Sequence, residues 1–213
     1  MDKFDIHIGV AAPMLQSNID TDAIIPSREM KRVSKQGLGE GLFAFWRYTL
    51  PGGRELAPEF ILNQSEYAHT SILLSGANFG CGSSREHAVW ALKEYGIKVI
   101  IAVSFGSIFY NNCIRNGILP LRLSYGDIEF LADKIKTGPQ SQILTVNLSE
   151  TSVVTIHGET FNFDIEPTYQ NMLLEGLDVI DMTLKMGDKI SQFQQHYRLA
   201  YPWLDESPDP LKT

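Results

Sequence analysis

Cysteine is scarce in this sequence, because the 213 residues contain only two, Cys81 and Cys113. A disulfide-stabilised scaffold needs more cysteines than that, and so does a structural zinc site or an iron–sulfur cluster held by one chain. The scarcity therefore excludes these three classes. It is typical of proteins that fold in a reducing compartment.

Long apolar runs and an excess of positive charge are also missing. No stretch approaches the ~18 consecutive apolar residues of a transmembrane helix. Residues 1–15 carry acids at Asp2 and Asp5 and lack the apolar core of a signal peptide. The 18 lysines and arginines are outnumbered by 25 acidic residues, which gives a net charge of −7. We therefore expect a soluble cytoplasmic protein that has neither nucleic acid nor membrane as its main partner.

An alternation of strand and helix patterns dominates the middle of the chain. The pattern over residues 71–123 predicts strand, helix, strand, helix and strand in turn, which is typical of a parallel sheet with crossover helices. Pro120 places the last of these strands at an edge or a bend. Two alternating runs between residues 142 and 165 predict antiparallel hairpin strands. These patterns predict an α/β fold.

The C-terminal part of the chain has a helical pattern. We expect helix over about residues 167–201, broken at Gly176 and Gly187, followed by a frayed tail at 202–213. No internal repeat or low-complexity linker interrupts the sequence. A single domain over residues 1–213 is therefore the simplest organisation.

The stretch GANFGCGSSREH, residues 76–87, carries the strongest local signal. Glycines let the main chain approach a ligand closely, and Ser83 followed by Glu86 is a capping-box pattern that predicts a helix start at Ser83 or Ser84. Free amides at a helix N-terminus bind anions. Arg85 in the first turn opposes the helix dipole unless it faces a carboxylate. The stretch predicts an anion site, and the alternative is a capped loop with a solvated arginine.

A second motif, NIDTDAIIP at residues 18–26, is rich in side chains that hydrogen-bond their own backbone in turns. A purely structural turn is one interpretation of it. Shortly after it comes a basic cluster in an otherwise acidic chain, made of Arg28, Lys31, Arg32 and Lys35. This cluster is a solvated face, a rim that attracts dicarboxylates or a docking patch for an acidic partner.

The chain resembles the small subunits of 3-isopropylmalate dehydratases over roughly residues 4–200. The resemblance is carried by these two motifs and by the downstream segment IIAVSFGSIFYNNCIRNGILPL. Such subunits correspond to the swivelling fourth domain of aconitases. The resemblance implies a β/β/α swivel fold with a mostly parallel sheet, flanking helices and antiparallel hairpins. It also implies a hydro-lyase of leucine biosynthesis, which interconverts 2-isopropylmalate and 3-isopropylmalate by dehydration and rehydration through isopropylmaleate.

The resemblance further implies a division of labour between two chains. A [4Fe–4S] cluster belongs to a separate large subunit, so this chain binds no cofactor or metal of its own and acts with that subunit as a heterodimer or a higher assembly. Two cysteines agree with that arrangement, because they cannot ligate such a cluster alone.

Individual residues acquire roles from the same resemblance. Ser83 matches the base that removes a proton from carbon, and Ser84 and Arg85 match the residues that bind the substrate carboxylate. The segment that selects the substrate's side group is matched by Arg28, Glu29 and Met30. The residues that support the loop are Gly80, Cys81, Gly82, Asp20 and Asp22, and Cys81 is also a candidate for oxidation at a helix mouth.

Arg28 and Glu29 depart from the aromatic or aliphatic residues that the family usually carries in this segment. Met30 can still supply an apolar contact. A methyl-substituted dicarboxylate therefore stays open as the substrate, either citraconate with citramalate or dimethylmaleate. A further alternative is a non-catalytic anion-binding module without a partner subunit.

A serine hydroxyl is a weak base, and the local sequence corrects this only in part for Ser83. A helix N-terminus contributes ~0.3–1 kcal/mol, up to ~2 kcal/mol when partly buried, which lowers a pKa by less than about 2 units. Arg85, desolvation and the partner's cluster must supply the rest. We therefore expect the chain to be inactive alone and active only in complex with the large subunit.

Overall fold

The computed structural model describes residues 1–30, 37–136 and 138–204. Within them, seven strands form one sheet. The strands are β1 (Ile6–Met14), β2 (Thr70–Ser75), β3 (Val99–Ala102), β4 (Leu119–Arg122), β5 (Ile143–Asn147), β6 (Ser152–Thr155) and β7 (Thr160–Asn162). They lie in the order β4-β3-β2-β1-β5-β6-β7, parallel from β4 to β1 and antiparallel from β1 to β7.

This sheet confirms the predicted α/β class, with its parallel strands and its hairpins. Strand β4 lies at the edge of the sheet, where Pro120 costs no ladder hydrogen bond to a second neighbour. The turn between the last two strands contains Gly158, which has a φ of +88°.

Helices flank the sheet, and two of them lie at the positions that the alternation predicts. The helices of this part of the chain are α1 (Thr21–Ile24), α2 (Ala44–Arg47), α3 (Glu86–Tyr95), α4 (Ser107–Asn116), α5 (Tyr125–Ile135) and α6 (Pro167–Glu175). Helix α3 connects β2 to β3, and α4 connects β3 to β4. Both end at a glycine in the left-handed region, Gly96 and Gly117, which is a common way for a helix to end.

The core lies between the sheet and the helices packed on it. Strand β3 is buried along its whole length, and α3 buries one face through Ala88, Val89, Ala91 and Leu92. Burying that face fixes the direction of α3 against the sheet. As a result, the carboxyl ends of β1, β2 and β3 and the starts of α3 and α4 meet at one edge, where α/β proteins commonly bind ligands.

Contacts divide the chain into two units, Met1–Gly176 and a second that starts at Leu177. The second unit contains α7 (Val179–Leu184), which begins with a capping box between Asp178 and Asp181, and α8 (Gly187–Ala200). The break predicted at Gly187 falls two residues earlier, at Lys185 and Met186, because Gly187 is already the first residue of α8.

The first residues of the predicted frayed tail are ordered in a turn of helix. Pro202–Leu204 form a turn of 3₁₀ helix, and residues 205–213 lie outside the described part of the chain. Among the described helices, none combines the length and the apolar character needed to cross a membrane.

Candidate active site

The glycine loop, defined as residues 76–85, leaves the carboxyl end of β2 and leads into α3. Gly80 has a φ of +71°, and a Cβ built on it would lie 2.1 Å from Cγ of Phe109. No side chain fits at this position, because the aromatic ring fills the space beside the main chain. The loop is therefore packed directly on α4 at its centre.

The second motif lies against this loop. The Gly80 N–H donates to the Ile19 carbonyl at 2.7 Å, and the Thr21 N–H donates to the Cys81 carbonyl at 3.0 Å. The Thr21 hydroxyl donates to the Ser83 carbonyl at 2.9 Å. Two segments about 60 residues apart in sequence thus form one unit, with Asp20 paired alongside Cys81.

The Asp20 side chain stabilises the turn that lies against the loop. Its side chain caps α1 by accepting the Ala23 N–H at 2.7 Å. The sequence predicts no helix there, only a turn, but the capping role follows from the same side-chain chemistry. The capped α1 then holds Thr21 and Asp22 next to the glycine loop.

The capping box predicted for Ser83 and Glu86 is not formed. Helix α3 begins at Glu86, with Arg85 at the N-cap position and no side-chain cap. The Ser83 carbonyl accepts the Arg85 N–H at 2.8 Å, which turns the chain before the helix starts. Glu86 instead accepts a hydrogen bond from Nδ2 of Asn116 at 2.9 Å. The predicted start at Ser83 or Ser84 is therefore wrong.

The correction changes the surroundings of the two serines. Ser83 and Ser84 are exposed, and within the described residues no hydrogen bond engages the Ser83 hydroxyl. Two donors on its carbonyl, from Thr21 and Arg85, hold the Ser83 main chain in place. The site thus presents a free hydroxyl on a fixed backbone at the edge of the sheet.

Arg85 forms an ion pair with Asp22 across the two motifs. Its side chain is 26% exposed. Asp22 also accepts a hydrogen bond from the Ser27 hydroxyl at 3.3 Å. A guanidinium has five N–H donors, so the contact through Nη1 leaves others for a second carboxylate. Asp22 is thus more than loop support, because it orients the residue predicted to bind substrate.

The segment Ser27–Met30 is a turn of 3₁₀ helix immediately after the second motif. Glu29 is only 8% exposed in its side chain and pairs with Arg28 at 3.2 Å and with Arg54 at 2.7 Å. The Arg28 guanidinium lies over the Phe45 ring at 4.5 Å. Burial raises the pKa of the Glu29 carboxyl, but the hydrogen bonds from Arg54 and Arg28 outweigh it and lower the pKa overall.

Met30 packs against the hydrophobic core. Arg54 is a residue that the sequence did not indicate, because it reaches Glu29 from a loop 25 residues away. Of the basic cluster predicted around Arg28, the residues Lys31, Arg32 and Lys35 lie outside the described part of the chain.

The two cysteines lie in different environments. Cys81 is half-buried in the glycine loop, whereas Cys113 is fully buried on α4. Burial raises the pKa of the Cys113 thiol well above its usual range. Among the described residues, no group of three or more His, Cys, Asp or Glu side chains could hold a metal ion. Two separated cysteines do not fit an iron–sulfur cluster.

Comparison with known proteins assigns the chain to a family. The model of the aconitase C-terminal domain matches residues 1–126. The model of the C-terminal domain of 3-isopropylmalate dehydratase small subunits matches residues 180–207. The first match covers both motifs of the site, and the second covers most of the described second unit.

Curated relatives and a solved structure extend over nearly the whole chain. The 3-isopropylmalate dehydratase small subunit from Cupriavidus necator is 55% identical over 204 residues, which are 96% of this chain and 98% of that protein. The subunit of the same name from Roseobacter denitrificans is 45% identical and is covered completely. The crystal structure of 3-isopropylmalate dehydratase from Methanocaldococcus jannaschii matches with a TM-score of 0.62 and 28% identity, covering 89% of this chain and 99% of that one. This chain belongs to the family of 3-isopropylmalate dehydratase small subunits.

Proposed function

We propose that this chain is the small subunit of a hydro-lyase that interconverts 2-isopropylmalate and 3-isopropylmalate through isopropylmaleate, in leucine biosynthesis and in the cytoplasm. The observation that carries the proposal is the junction of the two motifs, which brings a free serine hydroxyl and an oriented arginine to one edge of the sheet. The 55% identity to a subunit of that name supports the substrate.

Both units of the chain belong to this one subunit. The relatives named above are matched over 98% to 100% of their length by 96% of this chain. That coverage supports a single functional subunit over residues 1–213.

The large subunit supplies the [4Fe–4S] cluster in this proposal. Support comes from the chain's own donors, because Cys113 is fully buried and Cys81 stands alone in the glycine loop. The present chain then contributes binding and proton transfer, and the heterodimer is the active form.

Ser83 removes and returns the proton on carbon in the proposed reaction. Since α3 begins at Glu86, Ser83 lies outside the first turn, and the helix dipole weakens rapidly beyond that turn. The dipole therefore contributes less than the sequence indicated. Activation must come from the Arg85 guanidinium nearby and from groups and desolvation that the large subunit brings on assembly.

Ser84 and Arg85 bind a substrate carboxylate in the same proposal. Arg85 can approach a carboxylate in a bidentate manner through the donors that Asp22 does not use. The Ser84 hydroxyl adds a neutral donor beside it. Placing the carboxylate here would hold the substrate's carbon chain next to the Ser83 hydroxyl on the neighbouring residue.

Asp22→Asn should raise KM about 5- to 10-fold and change kcat less than about threefold. Asparagine keeps a hydrogen-bond acceptor but removes the charge that orients Arg85, and a charge-assisted hydrogen bond is worth roughly twice a neutral one. Steady-state kinetics of the reconstituted heterodimer measure both constants. Arg85→Lys should raise KM further, since a point charge replaces a planar fork.

Asp133→Asn at an exposed position of α5 is the matched control, because it removes the same charge outside the two motifs of the site. Its KM should equal that of the wild type. If Asp22→Asn behaves like this control, Asp22 does not orient Arg85 for substrate.

The polar residues of the segment Arg28–Met30 leave the substrate's side group open in the sequence. Glu29 uses its carboxylate on two arginines, and Met30 packs towards the core. Glu29 therefore offers no free carboxylate, which removes one reason for preferring a substrate other than the isopropyl compound. Isopropylmalate is accordingly the first choice over citraconate and dimethylmaleate.

Reconstitution with the cognate large subunit under anaerobic conditions tests the proposal. Isopropylmalate, citraconate and dimethylmaleate should be assayed in parallel, and isopropylmalate should have the highest kcat/KM. A large preference for a methyl compound would change the substrate. Tight dicarboxylate binding by the chain alone, with no turnover in the complex, would instead support a non-catalytic binding module.

A further inference from the structure

The segment Gly37–Gly41 is docked on the C-terminal end of α3 through Glu94. One carboxylate oxygen of Glu94 accepts the Gly37 N–H at 2.6 Å, and the other accepts the Gly39 N–H at 2.8 Å. Burial raises the pKa of Glu94, but hydrogen bonds from the backbone amides of residues 37–39 lower it overall. The carboxylate is thus ionised at neutral pH and acts as a two-point acceptor.

The docked segment fits closely at two other places. A Cβ built on Gly39 would lie 3.1 Å from the backbone nitrogen of Tyr95. The Gly39 carbonyl accepts a hydrogen bond from Nη1 of Arg47 at 3.0 Å, and the Arg47 guanidinium lies over the Tyr95 ring at 4.9 Å. The backbone of α3 on one side and Arg47 on the other therefore fix the position of Gly39.

Gly41 connects the docked segment to the segment Ser27–Met30. A Cβ built on Gly41 would lie 2.7 Å from Cβ of Glu29. Glu29 is in turn held by Arg54 and Arg28. Any shift of Gly41 away from α3 therefore changes the packing against Glu29 directly.

The other end of Ser27–Met30 is tied to the start of the same helix. Ser27 donates to Asp22, and Asp22 pairs with Arg85 at the N-cap of α3. Helix α3 thus connects to this turn twice, through Arg85 at its N-cap and through Glu94 in its last turn. A rigid helix between two attachment points fixes the turn relative to the carboxylate-binding arginine.

We propose that Glu94 is a positioning residue that sets which substrate side group the site accepts, by holding Gly37–Gly39 so that Gly41 supports Glu29. The proposal rests on the function proposed above, in which Arg28–Met30 form the selectivity segment. Glu94 touches no reacting atom, so its removal should change discrimination between substrates rather than the chemical step.

Glu94→Gln in the reconstituted heterodimer tests this role. Glutamine has the same shape but only one acceptor oxygen, so it loses one of the two amide contacts. KM for 2-isopropylmalate should rise about 3- to 10-fold, with kcat changed less than about twofold, because a pocket displaced from a bulky side group loses binding contacts. KM for citraconate, which carries only a methyl group, should change less than about twofold.

Gly41→Ala should lower the ratio of kcat/KM for 2-isopropylmalate to kcat/KM for citraconate, as Glu94→Gln does. It leaves the Glu94 contacts in place, since its methyl group pushes on Glu29. Glu150→Gln, in the exposed turn between β5 and β6, controls for the loss of one charge. Thermal unfolding of each variant reports whether the fold is retained.

Equal losses on both substrates, or a ratio identical to that of Glu150→Gln, would overturn the role of Glu94. If the substrate assigned above is wrong, the wild-type enzyme itself will prefer citraconate in kcat/KM, which distinguishes that failure from this one. The comparison of Glu94→Gln with the wild type keeps its meaning in either case.

Discussion

The reconstituted enzyme carrying Ser83→Ala is expected to lose about 10²- to 10⁴-fold in kcat, while KM stays within about threefold of the wild type. The range is that of a positioned general base. In the proposed reaction, removing the hydroxyl deletes a group that acts in the transition state, while the carboxylate contacts proposed for Ser84 and Arg85 are left in place. Steady-state kinetics under anaerobic conditions measure both constants.

The neighbouring hydroxyl supplies the matched control. Ser84→Ala removes the same atom one residue later, at a position that is also exposed, and should act mainly on KM. The fold should survive both changes, because the Ser83 main chain is held through its carbonyl by Thr21 and Arg85. A Ser83→Ala enzyme with normal kcat would mean that the base lies elsewhere, most simply in the large subunit.

Elements that depend on local periodicity could be predicted from the sequence. The buried strand β3 and the amphipathic α3 follow from residue spacing, and the ends of α3 and α4 follow from the steric freedom of glycine at positive φ. The edge position of β4 follows from Pro120 in the same way. Each of these features is determined by residues that are close together in the chain.

The start of α3 could not be predicted in that way, because distant residues decide it. Glu86 accepts a hydrogen bond from Asn116, which is 30 residues away in sequence. The Thr21 hydroxyl donates to the Ser83 carbonyl from 62 residues away. A capping box requires both side chains to stay local, and here long-range contacts prevail. The role of Arg54 could not be predicted for the same reason, since its partner Glu29 lies 25 residues earlier.

Asp22 shows what the resemblance to a family added and what it left open. The turn formers alone predicted only a turn, and the resemblance placed that turn beside the loop. The ion pair with Arg85 came from the structure. Proximity of two motifs can thus be carried over from a family, whereas the pairing of individual charges depends on how the chain packs.

Gly80→Ala should destabilise the protein by about 2–5 kcal/mol and lower activity in the complex. An L residue at positive φ costs about 1–2 kcal/mol, and forcing a methyl group into a packed aromatic contact costs about 1–3 kcal/mol more. The added Cβ would lie 2.1 Å from the Phe109 ring. Because the ring belongs to α4, relief of the clash would move the loop that carries Ser83. Denaturant unfolding of the chain measures the loss of stability.

Gly82→Ala separates the two contributions. Gly82 has a similar φ of +86°, but the nearest atom to its built Cβ is 3.5 Å away, on Asp20. It should therefore lose only the backbone part, about 1–2 kcal/mol. Replacing Phe109 with leucine in the Gly80→Ala background should recover part of the difference, because the smaller side chain makes room. Equal losses at the two glycines would mean that α4 adapts to the methyl group and that the Phe109 contact does not fix the loop.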